Sequence, residues 1–194
     1  PGVHGRMLDV CKPAQRRYNT AVTIAMGKNM EAIVVEREAT ALECVKYLKE
    51  KSSLYYELKT DWMNLVLQGR VSDDVKTVMN MVRKDVLRTD RGHPFFAGEG
   101  NPNVTTLFNI LTTYALNHPS VSYCQGMSDL ASPLLVTIGE ESHAYICFSA
   151  LMTRVKPNFL LDGAAMTTKF QHMCSNVRYV LHYRPKPINS VATA

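Results

Sequence analysis

Two short segments bring together residue types able to do chemistry. The first is Val82-Arg83-Lys84-Asp85-Val86-Leu87-Arg88-Thr89-Asp90-Arg91, and the second is Ser122-Tyr123-Cys124-Gln125-Gly126-Met127-Ser128-Asp129. Asp85 and Arg88 stand three residues apart at an expected helix end, so they share a face and can pair. A carboxylate placed there fixes the direction of a guanidinium without using all of its donors. Gln125 stands just before Gly126 in a loop that follows Pro119, where a backbone turn can push an amide side chain outward. Spacing alone leaves the chemistry open. An Asp/Arg pair at this separation also reads as a solvated helix-face pair, and Tyr-x-Gln-Gly as a turn with a packed tyrosine. The neighbours have plainer readings: Arg83 and Arg91 solvated, His93 a turn residue before Pro94, and Met63, Met79, Met81 and Met127 core filler. Cys124 has no His and acid placed to make it a nucleophile.

The elements that must position these segments are mostly helical. Ser72 is a good N-cap, Asp73 and Asp74 suit a first turn, and Val75, Val78, Met79, Val82 and Val86 mark a core face. Gly92-His93-Pro94 stops the chain from continuing as helix. Asn101-Pro102 opens the next helix, striped by Val104, Leu107, Phe108, Leu111, Tyr114 and Ala115, and Asn117-His118-Pro119 closes it. Further helices are expected at about 127–138, 140–155 and 163–175. The stretch from Arg178 to Ala194 has no periodicity and reads as a basic, proline-containing tail. The first fifty residues differ. Pro13 starts a helix carrying Ala14, Tyr18, Ala21, Val22 and Ala25; Ala32-Ile33-Val34-Val35 has the β-branched look of a buried strand. Thr40 to Lys51 is a second helix, with helical periodicity resuming at Leu54. The expected class is mainly α, with a small α/β N-terminal segment.

Composition narrows the function classes. The chain has 194 residues, 46% of them hydrophobic and 20% charged, which excludes wholesale disorder and fits about one domain. The net charge of +5 suggests a nucleic-acid binder until it is mapped. Residues 1–50 carry +2, residues 51–173 carry zero and residues 174–194 carry +3. With no basic stripe interleaved with aromatics, nucleic acid is not an expected partner. The five cysteines, at 11, 44, 124, 147 and 174, form no close pair, so neither a metal site nor a disulfide framework is expected. The start has no initiating Met and no secretory pattern, and no apolar run reaches the roughly 18–20 residues needed to cross a bilayer. The expectation is an intracellular chain and a piece of a longer one.

The two segments resemble the TBC domain, the GTPase-activating module for Rab GTPases. Its I-x-x-D-x-x-R pattern is met by Val82-x-x-Asp85-x-x-Arg88, with a conservative Val, and its Y-x-Q by Tyr123-Cys124-Gln125. The likeness extends through KDVLRTDRGHPFF, NPNV, LTTYALNHPSVSYCQGMSDLASPLL and the Lys169-Phe170 region. Upstream, Lys51 to Trp62 is similar to the helix before the first motif, so the resemblance spans about 51–173. It implies that Arg88 is an arginine finger and Gln125 a second finger, with Asp85 orienting Arg88 and Tyr123 supporting the glutamine loop. The implied partner is a GTP-bound Rab, to which the nucleotide and Mg²⁺ belong; no cofactor or metal is expected in this chain. Such a protein regulates an enzyme without a substrate of its own. The implied location is cytoplasmic, peripheral at endomembranes through the lipidated Rab, in vesicle trafficking. Phe95 and Phe96 are then core or part of the Rab-facing rim, and the residues leave that choice open.

The resemblance is partial at both ends: the family's Arg/Trp-containing first motif is not found, since Trp62 belongs to the later helix. Residues 1–50 instead resemble the first half of a hinge domain of cohesin-type structural-maintenance-of-chromosomes proteins. That likeness rests on Pro1-Gly2-Val3-x-Gly5-Arg6, Ala21-Val22-Thr23, Gly27-Lys28-Asn29-Met30, Ala32 to Val35 and Cys44-x-x-Tyr47-Leu48-Lys49. The expected layout is therefore a hinge-like segment over 1–50, a partial TBC domain over 51–173 and a tail over 174–194. Cutting a helical domain inside its core uncovers apolar faces, so marginal folding or self-association is expected. The competing functions are a chromosome-associated hinge-type dimerisation module and a Rab-binding pseudo-GAP whose fingers are held too loosely for catalysis.

Overall fold

The computed structural model describes residues 2–10, 12, 15, 17, 19–159 and 164–182. They fall into two compact units, Pro1–Glu57 and Leu58–Ala194. Among the described residues there are eight α-helices and one two-stranded sheet, the mainly α class expected from the sequence.

The first unit holds strands β1 (Val3–Arg6) and β2 (Ile33–Val35), helices α1 (Met7–Val10) and α2 (Asn19–Met26), and a 3-10 turn over Gly27–Glu31. The strands pair antiparallel, with Val3 opposite Val35 and Arg6 opposite Ile33. Arg6 also holds Asp9 at 2.8 Å and Glu31 at 3.2 Å. The strand at 33–35 is not the buried one its composition suggests, because Ile33 is 57% exposed. A two-stranded ribbon has too few neighbours to cover both of its faces. Of the helix expected from Pro13, α2 carries Ala21, Val22 and Ala25; Pro13, Ala14 and Tyr18 lie outside the described residues.

Helix α3 (Glu38–Leu67) begins in this unit and ends in the next. The sequence suggests two helices, before Lys51 and after Leu54, but they are one. No glycine or proline occurs from Glu38 to Leu67, and Ser52-Ser53 costs too little helix propensity to break it. Gly69, at φ +66°, ends it. The Arg70 N–H reaches the Leu65 carbonyl and the Gly69 N–H that of Val66, a glycine C-cap.

The second unit continues with α4 (Asp73–Val86), α5 (Pro102–Asn117), α6 (Met127–Ile138), α7 (Glu141–Val155), a 3-10 turn Lys156–Phe159 and α8 (Ala164–His182). Ser72 caps α4 by accepting from the Val75 N–H, and Asn101 caps α5 by accepting from the Asn103 N–H. Helix α5 is central and packs on α4, α6 and α7. Its stripe of Leu107, Leu111 and Tyr114 is buried, and so are Thr112 and Thr113, because neighbours lie on several sides. The Trp62 indole N–H donates to Thr113 Oγ1 at 2.9 Å inside this core. Nearby, Lys59 reaches Glu141 at 2.6 Å.

Three further expectations are corrected. Helix α8 passes residue 175 and continues to His182, because Cys174–His182 contains neither proline nor glycine. Residues 178–182 of the expected tail are thus helical, while 183–194 lie outside the described residues. Of the core-filling methionines, Met127 is fully buried, whereas Met63 and Met81 are 37% and 42% exposed. Each stands one position, about 100° around the helix, from the buried stripe at Trp62 and Val82. Arg91 is not simply solvated: its guanidinium donates to the Phe96 carbonyl at 2.8 Å and the Gly98 carbonyl at 2.6 Å, fixing the loop before α5.

Candidate functional site

Asp85 sits in the last turn of α4, and its carboxylate is buried. Arg88 follows in the turn after the helix. Its Nε and Nη2 donate to Asp85 Oδ1 at 3.1 and 2.6 Å, so the pairing that the spacing allows is made. The other oxygen, Oδ2, accepts the Tyr123 hydroxyl at 2.7 Å and the Gly126 N–H at 3.4 Å. Four donors thus converge on one buried carboxylate from both motif segments. Burial pushes the Asp85 carboxyl up, but the Tyr123, Arg88 and Gly126 bonds outweigh it and hold the group below its ordinary range. Burial, then the bond to Asp85, raises Tyr123 far above an ordinary phenol, so it stays a neutral donor. Arg88 itself remains 62% exposed at the side chain. It is aimed by a buried anchor and free at its other donors.

The second segment approaches through an irregular loop. Gly126 precedes α6 at φ +92°, in the left-handed region that turns the chain and aims its N–H at Asp85. Gln125, one residue earlier, is exposed. Among the described residues, two non-glycine residues also have positive φ, Asp90 at +46° and Ser122 at +55°, one beside each motif. Such backbone costs about 1–3 kcal/mol per residue and persists only where the surroundings impose it.

Side chains on the two segments join them again at a deeper level. The Thr89 hydroxyl donates to the Asp85 carbonyl at 2.8 Å and lies 2.9 Å from the Ser128 hydroxyl. Ser132 Oγ, fully buried, donates to the Asp90 carboxylate. Above this polar seam lies an open depression of about 710 Å³, lined by Arg88, Asp85, Thr89, Gln125, Gly126 and Ser128 among others. The sequence singled out Arg88, Gln125, Asp85 and Tyr123, and the fold brings them to one place. Thr89, Asp90, Ser128 and Ser132 escaped that reading. The signal for the two serines was their spacing of four residues in a largely apolar helix, which puts both on one face; Thr89 and Asp90 carried none.

The flanking candidates do other work. His93 Nδ1 accepts the Phe95 N–H at 3.2 Å, within a turn. Phe96 is fully buried and so belongs to the core, while Phe95 is half-buried. The Arg83 guanidinium lies over the Phe108 ring, 5.8 Å from its centroid. Burial raises the half-buried Cys124 thiol above its ordinary value, the wrong direction for a nucleophile. Among the described residues, no group of three or more His, Cys, Asp or Glu side chains could hold a metal ion.

The model of the Rab-GTPase-TBC domain family matches residues 40–186, a span that contains both motif segments. The chain belongs to that family. Human TBC1 domain family member 25 is 49% identical over 135 residues, covering 69% of this chain and 19% of its own length. Human TBC1 domain family member 17 is 37% identical over 162 residues, covering 81% of this chain and 25% of its own. The chain therefore spans a fifth to a quarter of these TBC relatives. A separate likeness is to structural maintenance of chromosomes protein 1 of Arabidopsis thaliana, 60% identical over 50 residues, or 26% of the chain and 4% of that protein. The depression between α4 and α6 is thus a feature of a TBC domain.

Proposed function

We propose that this TBC domain accelerates GTP hydrolysis by a small GTPase of the Rab family, with Arg88 and Gln125 acting in trans. The observation that supports this most directly is the state of Arg88. Its guanidinium is oriented by a buried carboxylate yet open to a depression that Gln125 also lines. A GTPase on its own stabilises charge on the transferring phosphoryl group poorly. An inserted arginine adds a permanent cation and directional donors there, worth about 10³–10⁵ in rate. An inserted glutamine amide can accept from and donate to the attacking water, orienting it. Asp85 and Tyr123 position these groups and touch neither nucleotide nor water. GTP and Mg²⁺ stay with the partner, and contact with endomembranes comes through the partner's lipid anchor.

Single-turnover GTP hydrolysis by a panel of Rab proteins tests this, with the wild-type chain beside Arg88→Ala and Gln125→Ala. Acceleration by the wild type that both variants lose is the expected result. No acceleration by a chain that is folded and binds a GTP-loaded Rab would leave the pseudo-GAP reading. The likeness to structural maintenance of chromosomes protein 1 favours a second, additional reading, in which residues 1–50 form a hinge-type interaction segment. Sedimentation of the chain over a range of concentrations tests it: a concentration-independent monomer would refute hinge-type dimerisation.

A further inference from the structure

Gln125 and Arg88 belong to different segments, so something must set the distance between them. Asp85 aims Arg88, but it contacts the second segment only through Tyr123 and the backbone of Gly126. The stretch just after Arg88 makes two further attachments, both to α6. Thr89 meets Ser128 and Asp90 meets Ser132. Ser128 and Ser132 stand one turn apart on one face of α6, the helix that begins immediately after Gln125-Gly126. Attachment at two points along a helix limits its rotation and its sliding together, which one bond cannot do. Thr89, Ser128 and Ser132 are buried, so water does not compete for the Thr89–Ser128 contact or for the Ser132 hydroxyl, while Asp90 reaches in from the surface. Asp90 adopts φ +46° to reach Ser132, a conformation that Asp tolerates better than most residues.

We infer that Thr89–Ser128 and Asp90–Ser132 form a two-point clamp that sets the separation of Arg88 and Gln125, making these four positioning residues for the proposed reaction. The inference rests on the reading of Arg88 and Gln125 as paired fingers. A clamp of this kind acts on geometry: it leaves the partner's docking surface alone and governs how well the two side chains meet the reacting atoms together. Misplacement by about 1 Å can cost on the order of 100-fold in rate.

The test combines two readouts on the full chain. In single-turnover hydrolysis with a Rab that the wild type accelerates, Ser132→Ala and Asp90→Ala lower the maximal rate about 10-fold or more, while the chain concentration giving half-maximal rate changes less than about 2-fold. Asp90→Asn retains an acceptor oxygen and tolerance of positive φ, and stays within about 3-fold of wild type. The other readout does not depend on activity. Spin labels carried by unnatural amino acids at Lys84 and Asp129 report the distance between α4 and α6, and its distribution broadens in Ser132→Ala and Asp90→Ala. Should Ser132→Ala not fold, exposed Asp90 carries the test alone. Unchanged maximal rate and unchanged distance distribution in Asp90→Ala overturn the clamp, as does equal loss by Asp90→Asn and Asp90→Ala. If no Rab responds to the wild type, the proposed function fails; a broadened distribution would then still support the clamp, and an unbroadened one would refute it.

Discussion

Tyr123→Phe removes one bond and keeps the ring. The ring is 4% exposed, so apolar burial is unchanged by the substitution. What disappears is the 2.7 Å hydroxyl donor to Asp85 Oδ2, which then keeps only the longer Gly126 N–H at 3.4 Å. A hydrogen bond to a charged group contributes about 1.5–3 kcal/mol, so the variant should lose about 2 kcal/mol of unfolding free energy at neutral pH. Against a total of about 5–15 kcal/mol the protein stays folded. The pH dependence has a definite sign. Asp85 is held below its ordinary range in the folded chain, so its contribution is complete above the unfolded value of about 3.9 and is lost as pH falls through the folded value. The penalty of Tyr123→Phe is therefore largest near neutrality and shrinks in acid, where a neutral carboxyl gains less from the phenol. Urea unfolding followed by circular dichroism at about pH 7 and about pH 3, below the unfolded value, measures both quantities. A change below about 0.5 kcal/mol at pH 7, or a penalty that grows on acidification, would refute the assignment of Tyr123 as a donor to a buried anion.

Other perturbations separate backbone, charge and thiol effects. Gly126→Ala should cost about 1–2 kcal/mol through the left-handed backbone alone, since a Cβ there meets nothing within 4 Å; Gly92→Ala should stay within about 0.5, and paired thermal melts compare them. Lys59→Met should destabilise by more than about 1 kcal/mol, because the side chains of Lys59 and Glu141 are only 18% and 17% exposed. Lys76→Met, which breaks an exposed pair with Asp73, should change chemical-denaturation midpoints little. Alkylation at pH 7.5 read by mass spectrometry should label exposed Cys147 and Cys174 well before Cys124, whose thiol is half-buried and raised; first labelling at Cys124 would contradict its described environment.

Much of the helical frame was legible because its boundaries are chemical. Ser72, Asn101-Pro102 and Gly126 mark ends that local backbone geometry enforces, and α4, α5 and α6 start where those residues stand. Boundaries set by the absence of a signal were misjudged: the interior of α3 and the end of α8 are continuous because nothing interrupts them. The exposure of Ile33 was not readable, since a β-branched run reports strand propensity and says nothing about how many strands come to cover it. At the site, Asp85 to Arg88 was local and therefore readable. The Asp85–Tyr123, Thr89–Ser128 and Asp90–Ser132 contacts join residues 38 to 42 positions apart, and no periodicity encodes such pairs.

The anchoring of Arg88 also determines when its disorder is lost. A free arginine side chain surrenders about 2 kcal/mol of rotamer entropy when it is fixed by a partner. Here two nitrogens of the guanidinium are already held by Asp85 before any partner arrives. Part of that entropic loss is therefore borne by folding, where it lowers the stability of the native state, and is removed from the encounter. If the proposed function holds, a partner meeting this surface meets a side chain whose remaining donors point in a set direction, so productive collisions need less searching and a smaller share of the barrier is entropic.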